Sequence, residues 1–159
     1  WKGLGERVIE ALAGRPMISV AGNHDYANLS ALLRDAGGIA FDINEGAVNI
    51  NGEVFSGFGE VPWIQGEWSG ETHGPDFGSI VEGCMSSDPT ILVTHAPAAG
   101  LLDDKAHGGG VVQLTSALTW QPHKVKAHFF GHIHDTQGSV VEMGIHFING
   151  AGKAIVHTE

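Results

Sequence analysis

The sequence predicts an α/β protein with mixed sheets. Two observations predict it: segments of helical period alternate with short apolar runs through the first two thirds, and the last third is rich in strands joined by glycine turns. A third is size, since 159 residues with 42% hydrophobic content can bury the core of one compact domain spanning 1–159.

The elements follow in order. Leu4, Val8, Ile9 and Leu12 share one helical face, and Gly14-Arg15-Pro16 ends that helix. MISVAG (17–22) is an almost unbroken apolar run, the pattern of a strand buried on both faces, and it leads straight into Asn23-His24-Asp25. Residues 27–36 are helical again, with Asp25 or Asn28 as amino-terminal cap and Gly37-Gly38 as the stop. Between 39 and 58 lie strands, with Asn51-Gly52 as a hairpin turn.

Residues 59–78 have no clear period and are rich in Gly, Trp and Glu, so a long surface loop is expected. A short helix near 78–86 precedes the strand TILVT (90–94), which ends in His95-Ala96-Pro97. A glycine loop and a helix over 111–120 follow, then a strand over 125–130 that delivers Gly131-His132-Ile133-His134. GSVVEMG, IHFING and KAIVHT are three closing strands.

Composition excludes several classes. A formal charge of −10 with eight Lys and Arg leaves no basic footprint for a nucleic-acid backbone. No apolar run approaches the roughly 18 residues of a membrane span. Cys84 is the only cysteine, so no intrachain disulfide and no cysteine zinc motif can form, and a cytoplasmic setting is expected. Ten histidines and 24 glycines point instead to metal or acid–base chemistry beside tight loops.

The chemistry gathers at three strand ends: SVAGNHD (19–25), LVTHAP (92–97) and FFGHIH (129–134). In layered α/β folds the carboxyl ends of strands share a crevice, so the three can meet. Two histidines at i and i+2 of a strand end point the same way and can converge on one ion. Imidazole and amide oxygen together suit Mn, Fe or Zn better than Ca.

Gly22-Asn23-His24-Asp25, Thr94-His95-Ala96-Pro97 and Gly131-His132-Ile133-His134 resemble three of the five blocks of the calcineurin-like metallophosphoesterases. The later part, with FFGHIHDTQG and FING, looks most like the small branch acting on phosphodiesters, cyclic nucleotides included. The resemblance implies a layered sandwich of two mixed β-sheets flanked by helices. It also implies a hydrolase of phosphodiesters or phosphomonoesters working through two divalent metal ions. It assigns Asn23, His95 and His132 to one ion and His134 to the other, and makes His24 the proton donor to the departing alkoxide.

The family's Asp-x-His and Gly-Asp blocks do not occur in the sequence. The expected reading is therefore an enzyme lacking its N-terminal strands, with an incomplete active site, one bound metal or none, and unpaired sheet edges that invite self-association. The partner is a phosphate-ester substrate, a nucleotide being one candidate. The alternative is a non-catalytic metal-binding or interaction module on the same fold. For Asp25 a helix cap is favoured over partnership with His24. The remaining histidines (73, 107, 123, 128, 146 and 157) are read as packing or surface groups, with His73 singled out because its loop also holds Trp63 and Trp68.

Overall fold

A computed structural model describes residues 2–35, 37–103 and 109–152. Helix α1 (Lys2–Leu12) ends where Ala13 and Gly14 take left-handed backbone angles, and the Arg15 backbone and side chain both donate to Leu12 O. Pro16 then starts an extended segment. Strand β1 (Met17–Ser19) crosses through helix α2 (Leu29–Asp35) to the parallel strand β2 (Ala40–Asp42), a βαβ unit tied by a 2.6 Å hydroxyl contact between Ser19 and the buried Ser30.

Strand β1 is shorter than its apolar run suggests and only half-buried. Its partner stops at Asp42, whose carboxylate accepts from Asn44 N and turns the chain into a 3-10 turn over Ile43–Glu45. Beyond Ser19 there is no partner strand, so Val20 to Gly22 leave the sheet. They do not leave the molecule: a Cβ on Gly59 would lie 2.4 Å from Ala21 O, so this backbone runs directly against the next sheet.

That second sheet is mixed, and among the described residues it has six strands, in the spatial order 48–50, 53–58, 91–94, 127–130, 145–149 and 138–142. Strands β3 (Val48–Ile50) and β4 (Glu53–Phe58) form a hairpin whose Asn51 and Gly52 are both left-handed, the geometry Asn-Gly favours. Residues 59–76 are more ordered than expected. The two-residue strands β5 (Val61–Pro62) and β6 (Glu71–Thr72) pair in parallel, and a 3-10 turn over Gly74–Asp76 leads into α3 (Phe77–Met85).

Strands β7 (Ile91–Thr94), β8 (Ala127–Phe130) and β10 (Ile145–Asn149) run parallel to β4. Strand β9 (Gly138–Glu142) closes the edge antiparallel, through a second left-handed pair, Met143-Gly144. Helix α4 (Val112–Trp120) precedes β8. The core lies where α3 and α4 meet this sheet, with Phe77, Val81, Leu114 and Leu118 against Phe58, Leu92, Phe130 and Phe147. The predicted strand KAIVHT, with His157, and also His107, lie outside the described residues.

Parallel strands give this sheet a polarity. At the amino ends, Lys126 pairs with Glu53 at 2.9 Å and Lys124 with Asp88. At the carboxyl ends of β7 and β8 the chain presents imidazoles instead.

Candidate metal centre

The His95 corner is built from the strand beneath it. Thr94 Oγ1 donates to Ala96 O, so it must accept the 2.7 Å bond from Nε2–H of the fully buried His128. His128 Nδ1 then carries no proton and has no partner among the described residues, and burial pushes its pKa down to about 3. The reading of His128 as a packing group holds, with one atom left unsatisfied. Backbone bonds from His95 N to Phe58 O and from Gly131 N to His95 O hold the corner against the strands on either side.

Gly22 faces the ring of His95 so closely that a Cβ would lie 2.6 Å from its Cε1. Only glycine fits there. The buried Asn23 then meets His95 directly, Oδ1 to Nε2 at 2.9 Å. This contact joins the end of β1 to the end of β7, across the two sheets.

The turn carrying His24 corrects one expectation. Asp25 does not cap α2: its carboxylate accepts from Gly22 N at 2.8 Å, while Asp25 N donates to Gly22 O. The cap is Asn28, whose Oδ1 accepts from Ala31 N at 2.8 Å. As the fourth residue of the Gly22–Asp25 turn, Asp25 uses its carboxylate to close that turn, three residues short of the cap. His24 stands exposed at the turn, with its ring 4.4 Å from that of Trp68.

The histidine pair is also arranged differently from a strand end. Strand β8 stops at Phe130, and Ile133 N donates to Gly131 O at 2.7 Å around His132, whose φ is +66°. That is a three-residue γ-turn of the strained, left-handed kind. Its strain is held by Asn149, wholly buried, which donates to Ile133 O at 2.8 Å and to Thr136 O at 3.3 Å and accepts from Ala151 N. Asn149 was not singled out from sequence; a lone amide in the apolar run IHFIN was the available signal.

His132 is half-buried, with its ring centroid 5.1 Å from that of His95. His134 is exposed beside Gly152, where a Cβ would lie 3.6 Å from its Nδ1. Burial, then the neighbouring His132, lowers the pKa of His95 to about 4, against an opposing pull from Asp25. Burial, then His134, lowers that of His132, opposed by Asp103, another group that sequence did not single out. Both imidazoles are neutral at pH 7, as ligation requires.

The donor types suit a first-row divalent ion. In the structure His95 Nε2 and Asn23 Oδ1 are hydrogen-bonded at 2.9 Å, so the two groups face the same point and could hold an ion there once Nε2 gives up its proton, with His132 beside them. Among the described residues no three His, Cys, Asp or Glu side chains converge on one point, although His134 lies near enough for its charge to act on both His95 and His132.

The other histidines are engaged elsewhere. His123 Nε2 donates to Leu118 O and its Nδ1 accepts from Val125 N. His73 stacks on Trp63, centroids 4.3 Å apart. No helix among the described residues is long and apolar enough to cross a membrane.

No curated protein shows significant sequence similarity to the chain. One solved crystal structure superposes with a TM-score of 0.61 at 17% identity, which establishes likeness of fold. It covers 94% of this chain, and this chain spans 63% of that one. The sequence profile of the calcineurin-like phosphoesterases matches residues 2–136, so all three motif turns fall within it, and the chain belongs to that family.

Proposed function

We propose that the protein is a metal-dependent phosphoesterase, hydrolysing phosphodiester or phosphomonoester bonds at a dinuclear metal site. The observation that carries this reading is the 2.9 Å hydrogen bond between His95 Nε2 and Asn23 Oδ1, which brings two neutral, metal-competent groups from separate sheets together. Asn23, His95 and His132 hold the first ion, and His134 contributes to the second. When bound, the ions supply positive charge to the phosphoryl oxygens and acidify water at neutral pH.

The chain's own residues do the rest. Gly22 lets the His95 ring approach, and Asn149 keeps His132 and His134 on their turn. His24, exposed and free of the Asn23–His95 contact, donates a proton to the departing alkoxide. Joined to a segment that supplies the family's Asp-x-His and Gly-Asp blocks, and with Mn²⁺, the protein is expected to cleave an aryl phosphodiester, and His24→Ala to lower kcat by about 10²- to 10⁴-fold. Full activity in that variant removes His24 from the mechanism.

A second reading, a metal-binding module without turnover, is favoured by the absence of a three-residue carboxylate, thiol or imidazole cluster among the described residues. Metal analysis separates the two. Two ions and turnover once the Asp-x-His and Gly-Asp blocks are supplied support the enzyme; one weakly held ion without turnover under the same condition supports the module.

A further inference from the structure

The loop before α3 does more than connect. Both residues flanking Trp68 are bonded to the turn that carries His24: Ser69 N donates to Asn23 O at 3.1 Å, and Tyr26 Oη donates to Glu67 O at 3.3 Å. The loop is closed independently of that turn, because Glu71 accepts from Gln65 N and Gly66 N while Val61 N donates to Gly70 O. Trp68 is thus carried to His24 by a folded segment and fixed there on both sides.

The loop's two tryptophans have different surroundings. Trp63 stacks on His73 and covers Gly66, where a Cβ would lie 2.5 Å from its Cη2, so one part of its ring packs on the loop while about half of the residue stays open. Trp68 touches the imidazole of His24 at 60° between planes and stays half-buried, and Tyr26 beside it is 74% exposed. Lys124 and Lys126 are paired at the opposite ends of the strands. Among the described residues, an aromatic wall flanks the imidazole.

We propose that Trp68 is a specificity-determining residue: it positions His24 and forms the wall against which the leaving group of the ester lies, selecting a planar aromatic group. This rests on the phosphoesterase reading above. If His24 protonates the leaving oxygen, the group on that oxygen must lie alongside the ring that touches His24. A flat π-surface there favours an aryl ring or a heterocyclic base over a short alkyl group.

Phenylphosphonate and methylphosphonate test this without turnover, because both carry the same charged group on a phosphorus–carbon bond and differ in the ring. With Zn²⁺-loaded protein and calorimetric titration, phenylphosphonate is expected to bind about five- to tenfold more tightly. Trp68→Ala abolishes that preference, while Trp68→Phe retains part of it. Adenosine 5′-monophosphate compared with ribose 5-phosphate then reports whether the wall also takes a heterocyclic base; a preference in wild type that Trp68→Ala removes extends the support to bases. Equal binding of the two phosphonates by wild type, or a phenyl preference that survives in Trp68→Ala, overturns the proposal. Binding of neither phosphonate overturns the phosphoesterase reading and the aromatic wall with it.

Discussion

The candidate site has two halves built in contrasting ways. His95 and His132 follow the ends of neighbouring central strands of the large sheet, supported by the buried His128–Thr94 pair and by Asn149. Asn23 and His24 follow a three-residue strand in a two-stranded sheet, and their place depends on contacts with the other half: Asn23 to His95, Asn23 O to Ser69, and Ala21 against Gly59. The first half is positioned by its own sheet. The second is positioned by its neighbours, which makes it the half that a local change can move independently.

The largest effect is expected from removing the central support of the large-sheet half. Asn149→Ala strips partners from Ile133 O, Thr136 O and Ala151 N in a buried setting, and is expected to cost about 3 kcal/mol in urea unfolding. It should also release the strained φ of His132. A loss below about 0.5 kcal/mol would mean that the γ-turn holds itself.

Acid should weaken the same half next. His128 and His95 have folded pKa values lowered to about 3 and about 4, against roughly 6.5 in an unfolded chain. Between those values the unfolded state takes up protons that the folded state refuses. Stability is therefore complete above about pH 6.5 and falls as pH drops toward the folded values. For His128 the expected loss between pH 7.5 and pH 5 is about 2 kcal/mol, read from urea midpoints of metal-free protein. Equal midpoints at both pH values would show that the two imidazoles are not buried neutral.

The smallest effect sharpens the contrast from the other side. Ser19→Ala removes the hydroxyl contact between β1 and α2 and should cost about 1 kcal/mol. Amide exchange should show β1 opening at least about tenfold faster than β7 and β8 before any substitution. Matched protection across both sheets would remove the distinction between the halves.

Much of the large-sheet half was legible in the sequence, and less of the small one. TILVT, the 111–120 helix and the Asn51-Gly52 hairpin are local signals whose hydrophobic period and turn chemistry survive in the fold. MISVAG has the same apolar character, yet its length as a strand is decided by where β2 stops, at Asp42. Asp25 could be read as a helix cap because Asp favours that role, but its reach to Gly22 N is a competing local bond of equal chemistry.

The histidines themselves were legible as residue types at strand ends. Their geometry was not, because the i, i+2 rule belongs to strands and His132 sits on a γ-turn beyond one. The order of residues 59–76 was hidden for a related reason. Its contacts run from Glu67 and Ser69 to Tyr26 and Asn23, about forty positions away, and leave no period to read.

The most direct test asks whether both halves hold one ion. Co²⁺ titration followed by ligand-field absorption, in wild type, Asn23→Ala and His132→Ala, reads affinity and coordination together. A shared ion requires that each substitution weaken binding by about tenfold or more and alter the spectrum. Wild-type affinity and spectrum in Asn23→Ala, with binding lost in His132→Ala, would contradict it and leave the ion with the large sheet alone.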